Sequence, residues 1–432
     1  MTLTEKLLAR ASKRESVKPG EIVVVEPDVV LSHDNSAAIW EIFQQLPHGK
    51  IRRPDRLAIT LDHAAPPPTA KHAQNHAQIR QLVREQGISK FYEIGRGICH
   101  QVLCEEGVIG PGFTLLGADS HSPHCGWLGA FGAGIGRSEV AALWATGELW
   151  LRVPETMRIV LTGRLKPGVT TKDLTIHMIG QLSSDGATYL AVEFAGDGIS
   201  NLSPDARAVL TNMMAEMGAK NACMAPDAIT WDWLESSLAR SRPQDADERL
   251  ATFRESALYP DADAACAVEH HVELSAIEPM VSCPHTVDNV QPLSSVAHTR
   301  VDVGFIGTCT NGRLEDIASA ADIVRGKRLR RRLLVIPASS MVLRDAIEAG
   351  HIAALLDAGA TIGTPGCGPC MGNHMGVLAP GEVCISSANR NFRGRMGQRD
   401  AEIYLANPAV VAASCVAGYL AHPADLAGGE QA

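Results

Sequence analysis

Arg56-Leu57-Ala58-Ile59-Thr60-Leu61 runs straight into Asp62-His63, an apolar run that reads as a strand buried on both faces and closed by a polar pair. The pattern recurs. Phe113-Thr114-Leu115-Leu116 leads through Gly117-Ala118 to Asp119-Ser120-His121, and Val303-Gly304-Phe305-Ile306 leads to Gly307-Thr308-Cys309. Ala360-Thr361-Ile362 precedes Cys367, and Glu382-Val383-Cys384-Ile385-Ser386 precedes Asn389-Arg390 and Arg395. Helical stretches lie between: Lys71 to Glu85, stopped by Gly87, and Ser138 to Leu151, stopped before Pro154. Gly132-Ala133-Gly134-Ile135-Gly136 reads as a tight turn leading into the second of these, since a dinucleotide loop would need one more glycine. Strand–helix alternation of this kind means α/β architecture, and ligands of such sheets bind beyond the carboxyl ends of the strands. The polar endings are therefore expected to converge on one site.

Composition narrows the class. The chain has 432 residues, enough for two or three domains, with 45% hydrophobic and 20% charged residues. A formal charge of −9 argues against a nucleic-acid or anionic-membrane surface, and no segment is apolar for the ~18 residues a membrane span needs. The start, Met1-Thr2-Leu3-Thr4-Glu5-Lys6, leads into no signal core, and 11 cysteines suit reduced thiols in a cytoplasmic protein. The basic run Arg325 to Arg332 reads as a solvated helix-to-strand connection.

Ser203-Pro204 is a good N-cap and first-turn pair for a helix reaching Gly218. Asn212 and Glu216 share one face of it, and spacing alone reads that face as solvated. Met213, Met214 and Met217 read as core.

Cys309 lies in Gly307-Thr308-Cys309-Thr310-Asn311-Gly312-Arg313, and Cys367 and Cys370 in Gly366-Cys367-Gly368-Pro369-Cys370-Met371-Gly372. Spacing leaves three readings open. Soft thiolates select an iron–sulfur cluster, and three of them leave one corner of a cubane open. Cys-Gly-Pro-Cys also fits a thiol-redox pair. Zinc is the third, with His374 as a fourth ligand.

Taken together, the motifs resemble the aconitase superfamily, specifically the large subunits of 3-isopropylmalate dehydratase and homoaconitase-like hydro-lyases. The resemblance covers almost the whole chain. It rests on His33-Asp34-Asn35, Asp62-His63, Gly97-Ile98-Cys99-His100-Gln101, Asp119-Ser120-His121-Ser122, Asn212-Met213-Met214-Ala215-Glu216, Gly307 to Asn311, the Cys367/Cys370 pair, and Asn389-Arg390 with Arg395. It implies three α/β/α domains around an iron–sulfur cluster: 1–154 with the histidine motifs, 155–284 with the Asn212/Glu216 helix, and 285–432 with the cysteines and arginines. It also implies one [4Fe-4S] cluster held by Cys309, Cys367 and Cys370, with the fourth iron open to substrate. Three acid–imidazole pairs carry over: Asp62 with His63, Asp119 with His100, and Glu216 with His121. His63 is the leading proton donor to the departing hydroxyl. Arg390 and Arg395 would bind substrate carboxylates, with His33 and Ser120 as further substrate contacts. Asn212, Asn311 and Asn389 would surround the cluster. The other cysteines, at 99, 104, 125, 223, 266, 283, 384 and 415, read as buried small residues.

The resemblance further implies that the C-terminal swivelling domain, with its catalytic base, is absent here and sits on a separate small subunit. The substrate would be a small di- or tricarboxylate, and neither nucleic acid nor membrane is expected as a partner. The leading reading is 3-isopropylmalate isomerised via isopropylmaleate in leucine biosynthesis. Homoaconitate, 2,3-dimethylmalate and citramalate/citraconate are alternatives of the same chemistry, and a non-catalytic thiol-redox or iron-sensing protein is the alternative from another class. One departure from the family pattern stands out: Ser122-Pro123-His124-Cys125-Gly126-Trp127 replaces expected small polar residues, so that His124 and Trp127 either reshape the substrate pocket or pack beside the first sheet.

Overall fold

A computed structural model describes residues 1–47, 49–372 and 374–426. Three main sheets organise the chain. The first is five-stranded and parallel, in the order Lys90–Tyr92, Leu57–Thr60, Val29–Ser32, Thr114–Gly117, Phe131–Gly134. The second, also parallel, runs Asn221–Met224, Ala191–Ala195, Thr156–Thr162, Val268–Glu273. The third has seven strands in the order Val290–Pro292, Met280–Ser282, Glu402–Leu405, Val383–Ser386, Val303–Ile306, Arg332–Val335, Thr361–Ile362, and its antiparallel pairings all involve Met280–Ser282. The central strands Val29–Ser32, Leu57–Thr60, Thr114–Gly117 and Val303–Ile306 are buried at every position, which is why they read as unbroken apolar runs.

Register explains where the polar endings meet. Leu31 pairs with both Ala58 and Gly117, so His33, Asp62-His63 and Asp119 leave the same edge of the first sheet side by side. In the third sheet Val303–Ile306 lies between Val383–Ser386 and Arg332–Val335, so the Cys309 loop and the Asn389-Arg390 segment also emerge together. The two edges are stitched to each other. The amide of Cys367 donates to the carbonyl oxygen of Asp62 at 2.8 Å. Gly366 permits this approach, since a Cβ there would sit 2.7 Å from that same oxygen.

Several boundaries differ from the sequence reading. The stretch Ser138 to Leu151 is not one helix: Arg137–Thr146 ends at left-handed Gly147, and Leu149–Arg152 is a strand paired antiparallel with Ile22–Val25. Its alternating burial, Leu149 and Leu151 inward and Trp150 outward, is the strand period that a helical reading overlooks. The glycine-rich segment from Gly132 to Gly134 is an edge strand rather than a turn. The helix from Ser203 is α only over Pro204–Met213 and then tightens to a 3₁₀ turn at Met214–Met217. The last α-helix among the described residues is Pro408–Ala417, capped by the Asn407 side chain. Residues 325 to 331 do connect a helix, Leu314–Val324, to a strand, Arg332–Val335.

Trp127 and His124 do not line the cavity described below. Both are buried, and the Trp127 ring packs edge-on against Trp233 at a centroid distance of 4.8 Å. Among the cysteines read as buried, Cys266 is only partly so. Truncating Trp127 to Ala is expected to lower unfolding free energy by about 3–5 kcal/mol in denaturant titrations while changing kcat/KM little. A selective loss of activity with unchanged stability would instead place Trp127 at the substrate.

Candidate active site

A cavity of about 310 Å³ lies between the facing edges of the first and third sheets. His33, His63, His100, Asp119, Ser120 and His121 line it from the first sheet, and Cys309, Cys367, Cys370, Asn389, Arg390 and Arg395 from the third.

On the first side, His63 is gripped at both nitrogens. Its Nδ1 lies 2.9 Å from Asp62 Oδ1 and its Nε2 lies 3.2 Å from Asp119 Oδ2. Burial alone would strip its proton, but the two carboxylates outweigh that and hold its pKa well above the ordinary imidazole value. Asp62 is itself fixed by the amide of Cys99 at 2.7 Å, at the start of the helix Cys99–Glu105. The His33 ring stacks on His63 at 3.8 Å, and burial lowers its pKa. His100 is different: buried, and without a hydrogen bond at Nε2, it stands 3.6 Å from Asp119 Oδ1. Burial drives its pKa down to about 4, so it is neutral. The expected Asp119–His100 pair is therefore looser than the contact Asp119 makes with His63.

The third acid–imidazole pair reaches across units. His121 Nε2 is 2.6 Å from Glu216 Oε1, and Arg390 Nε donates to both Glu216 oxygens at 2.9 Å. Glu216 and Asn212 are buried, not on a solvated face, because their partners lie on other sheets. Burial would raise the Glu216 pKa, but His121 and Arg390 hold it below the usual carboxylate value. Ser120 is exposed at the cavity rim, with its Oγ 3.5 Å from His121 Nδ1.

On the third-sheet side, N–H groups are aimed at sulfur. Asn212 Nδ2 lies 3.1 Å and Asn389 Nδ2 3.7 Å from Cys309 Sγ, and Arg395 Nη2 lies 3.3 Å from Cys370 Sγ. The Asn212 amide is held by Thr310 Oγ1, which donates to its oxygen at 2.7 Å, and by His124 Nδ1 at 3.3 Å. Asn311 does not line the cavity; its amide nitrogen donates to Asp316 at 2.8 Å and braces the cysteine loop. Burial pushes the Cys309 thiol up to about 12. Cys367, hydrogen-bonded to Cys370, and then Arg395 hold the Cys370 thiol well below its ordinary value. His374, the candidate zinc ligand, contacts the Pro66 carbonyl instead and does not line the cavity.

Three residues missed in the sequence prove central to this geometry. Asp34 accepts from the amides of Asp62 and His63, at 3.0 and 2.7 Å, and from His76 Nε2 at 2.6 Å, so it shapes the turn that presents His63. The buried position of His76, three residues before Ile79 on the helix Ala70–Gln86, was its only signal. Arg313 donates from Nη1 to the Cys309 carbonyl at 2.7 Å.

The family model for the aconitase family (aconitate hydratase) matches residues 5–300 and 294–418. The chain belongs to the aconitase family. The family is one of hydro-lyases, and its members typically bind a [4Fe-4S] cluster. The chain is 48% identical over 431 residues to the homoaconitase large subunit of Thermus thermophilus, covering 98% of each chain. It is 43% identical to a probable 3-isopropylmalate dehydratase large subunit of Methanothermobacter thermautotrophicus, covering 99% of each, and 44% identical to the 3-isopropylmalate dehydratase large subunit of Herpetosiphon aurantiacus, covering 98% and 97%. These relatives are named as large subunits, which implies a small-subunit partner. Among the described residues no helix is long and apolar enough to cross a membrane. The residues present fit an iron–sulfur group: three free, buried thiols border one cavity, with amide and guanidinium donors directed at two of the sulfurs.

The raised His63 pKa carries a signed pH consequence. An imidazole held above its ordinary value of about 6.5 keeps its proton through neutral pH and loses it only as pH climbs through the raised value. Asp62→Asn removes one of the two carboxylates responsible, so the alkaline limb of kcat/KM should move to lower pH by at least about one unit. A limb that stays put in this variant would remove His63 from the role of acid.

Proposed function

We propose that this chain is the large subunit of a [4Fe-4S] hydro-lyase that removes and re-adds water on a substituted malate, with 3-isopropylmalate via isopropylmaleate as the leading substrate. The observation that carries the reading is the shared cavity: Cys309, Cys367 and Cys370 face the same space as His63, Arg390 and Arg395. The names of the relatives support the substrate class. The three cysteines would hold the cluster, which when bound would supply Lewis-acid chemistry for a hydroxide leaving group.

Everything else falls to this chain's side chains. His63 holds the proton that departs with the hydroxyl oxygen, and Asp62 and Asp119 keep it charged and oriented. Neutral His100 stands beside Asp119 without the contact that would let it compete for that carboxylate. Arg390 uses only its Nε on Glu216, which leaves its terminal nitrogens free, among the described residues, to grip a carboxylate as a fork. Arg395 shares its guanidinium between Cys370 and the cavity. His33 and Ser120 complete the substrate wall, and Asn212 and Asn389 steady Cys309. The proton on the neighbouring carbon requires a base from the small subunit and its swivelling domain. Three domains, 1–154, 155–284 and 285–432, accompany the reading. The change of sheet after Arg152 supports the first boundary, and the membership of Met280–Ser282 in the third sheet draws the second slightly earlier.

One observation favours a second reading, homoaconitate. Arg137 stands exposed at the cavity mouth with no carboxylate partner among the described residues, a place suited to a third carboxylate. The Thermus relative carries that substrate in its name.

Anaerobic co-production with the cognate small subunit should yield roughly four iron and four sulfide per large subunit. Cys367→Ser should lose both the iron and all hydration of cis-unsaturated diacids. A zinc-loaded or metal-free dithiol would defeat the reading. Within the diacid series, preference for isopropylmaleate supports the leading substrate. Preference for cis-homoaconitate that Arg137→Ala abolishes supports the second.

A further inference from the structure

Lys172 is the most anomalous charge in the molecule outside the residues already assigned. It is completely buried, and among the described residues no carboxylate pairs with its ammonium. It also occupies the second position of the helix Thr171–Leu182, where the positive end of the helix dipole repels a cation. Burial draws its pKa down to about 7 against the pull of Glu216, Asp316, Asp173 and Cys309. The helix dipole, the cost of desolvation and the lack of a paired carboxylate therefore all argue against a lysine here.

What the ammonium does make is specific. It donates to two consecutive backbone carbonyls, Ser387 at 3.0 Å and Ala388 at 2.6 Å, and its remaining proton points toward Met213 Sδ at 3.7 Å. The next two residues are Asn389 and Arg390. Asn389 reaches Cys309 Sγ and Thr310 Oγ1, and Arg390 reaches Glu216. The other anchors of this turn of helix are equally directed. The neighbouring Asp173 accepts from the Met280 amide at 3.0 Å and from Asn407 Nδ2 at 2.9 Å, so this helix end is tied to the third sheet on both sides.

We propose that Lys172 is a positioning residue: by clamping the carbonyls of Ser387 and Ala388 it sets where Asn389 meets Cys309 and where Arg390 meets Glu216 and the substrate carboxylate. The proposal rests on the iron–sulfur hydro-lyase reading, but its test has readouts independent of turnover. Lys172 acts on the substrate only through Arg390, so it touches neither substrate nor reacting atoms.

The experiment uses the holoenzyme with its small subunit and compares wild type with Lys172→Met, which keeps the volume without the donors, and Lys172→Gln, which keeps a donor. Three quantities are read: amide hydrogen exchange of the 386–391 segment, the electron paramagnetic resonance spectrum of the reduced centre, and kcat and KM for the preferred diacid. Lys172→Met is expected to retain iron and sulfide, to exchange faster over 386–391, to shift the resonance spectrum, and to raise KM by about tenfold with a much smaller change in kcat. Lys172→Gln should fall between Met and wild type on all three. Exchange, spectrum and KM within about twofold of wild type in Lys172→Met would overturn the proposal. So would loss of the fold in both variants, which would make Lys172 a folding residue. If the wild-type protein holds no cluster and turns over no diacid, the function reading fails, while the exchange comparison still reports on the clamp.

Discussion

A single buried carboxylate organises the site. Asp119 leaves the central strand edge of the first sheet and faces four imidazoles: His63 at 3.2 Å, His100 at 3.6 Å, His121 at 3.8 Å and His33 at 3.9 Å. Burial would raise its pKa, yet these rings together hold it well below the ordinary value, so it is ionised. A buried anion demands a cation, and only one ring, His63, is close enough on both sides to carry the charge. Burial lowers the pKa of His33 and His100, while His121 pairs with Glu216 instead. One ionised group and unequal burial thus give chemically identical rings different holds on a proton.

On the opposite wall the buried groups are cysteine sulfurs, and Asn212, Asn389 and Arg395 supply the donors that satisfy Cys309 and Cys370. Arg313 and Lys172 do so at one remove, by fixing the backbone of the two loops that carry these groups. The cavity is therefore held between two electrostatic frameworks, joined where the Cys367 amide meets the Asp62 carbonyl.

Much of this was legible in the chain because His33, Asp62-His63, Asp119 and Cys309 each follow a fully buried strand, and strands such as Leu57–Thr60 and Val303–Ile306 announce themselves as apolar runs. The family-level pairings of Asp62 with His63 and of Glu216 with His121 also hold in space. What failed was whatever depended on distant partners. Asn212 and Glu216 read as a solvated face because the groups that bury them come from residues near 121, 309 and 390. Asp34 and Lys172 gave no local sign of their roles, since a hydrogen bond to a backbone amide or carbonyl leaves no spacing to read. Leu149–Arg152 reads as helix in the sequence because its alternation spans too few residues to outweigh the helix before it. His124 and Trp127, which look like substrate contacts beside the Asp119 motif, turn inward because the short turn at Ser122–Leu128 packs against the second sheet unit.

In the proposed function three cysteines would leave one iron of a four-iron centre open to the acid and the arginines. Mössbauer spectra of the iron-57-loaded holoenzyme, recorded with and without the preferred diacid, test this most directly. One iron site of the four should change on adding the diacid while the other three stay as they were. Four sites that are all indifferent to the diacid would contradict the claim.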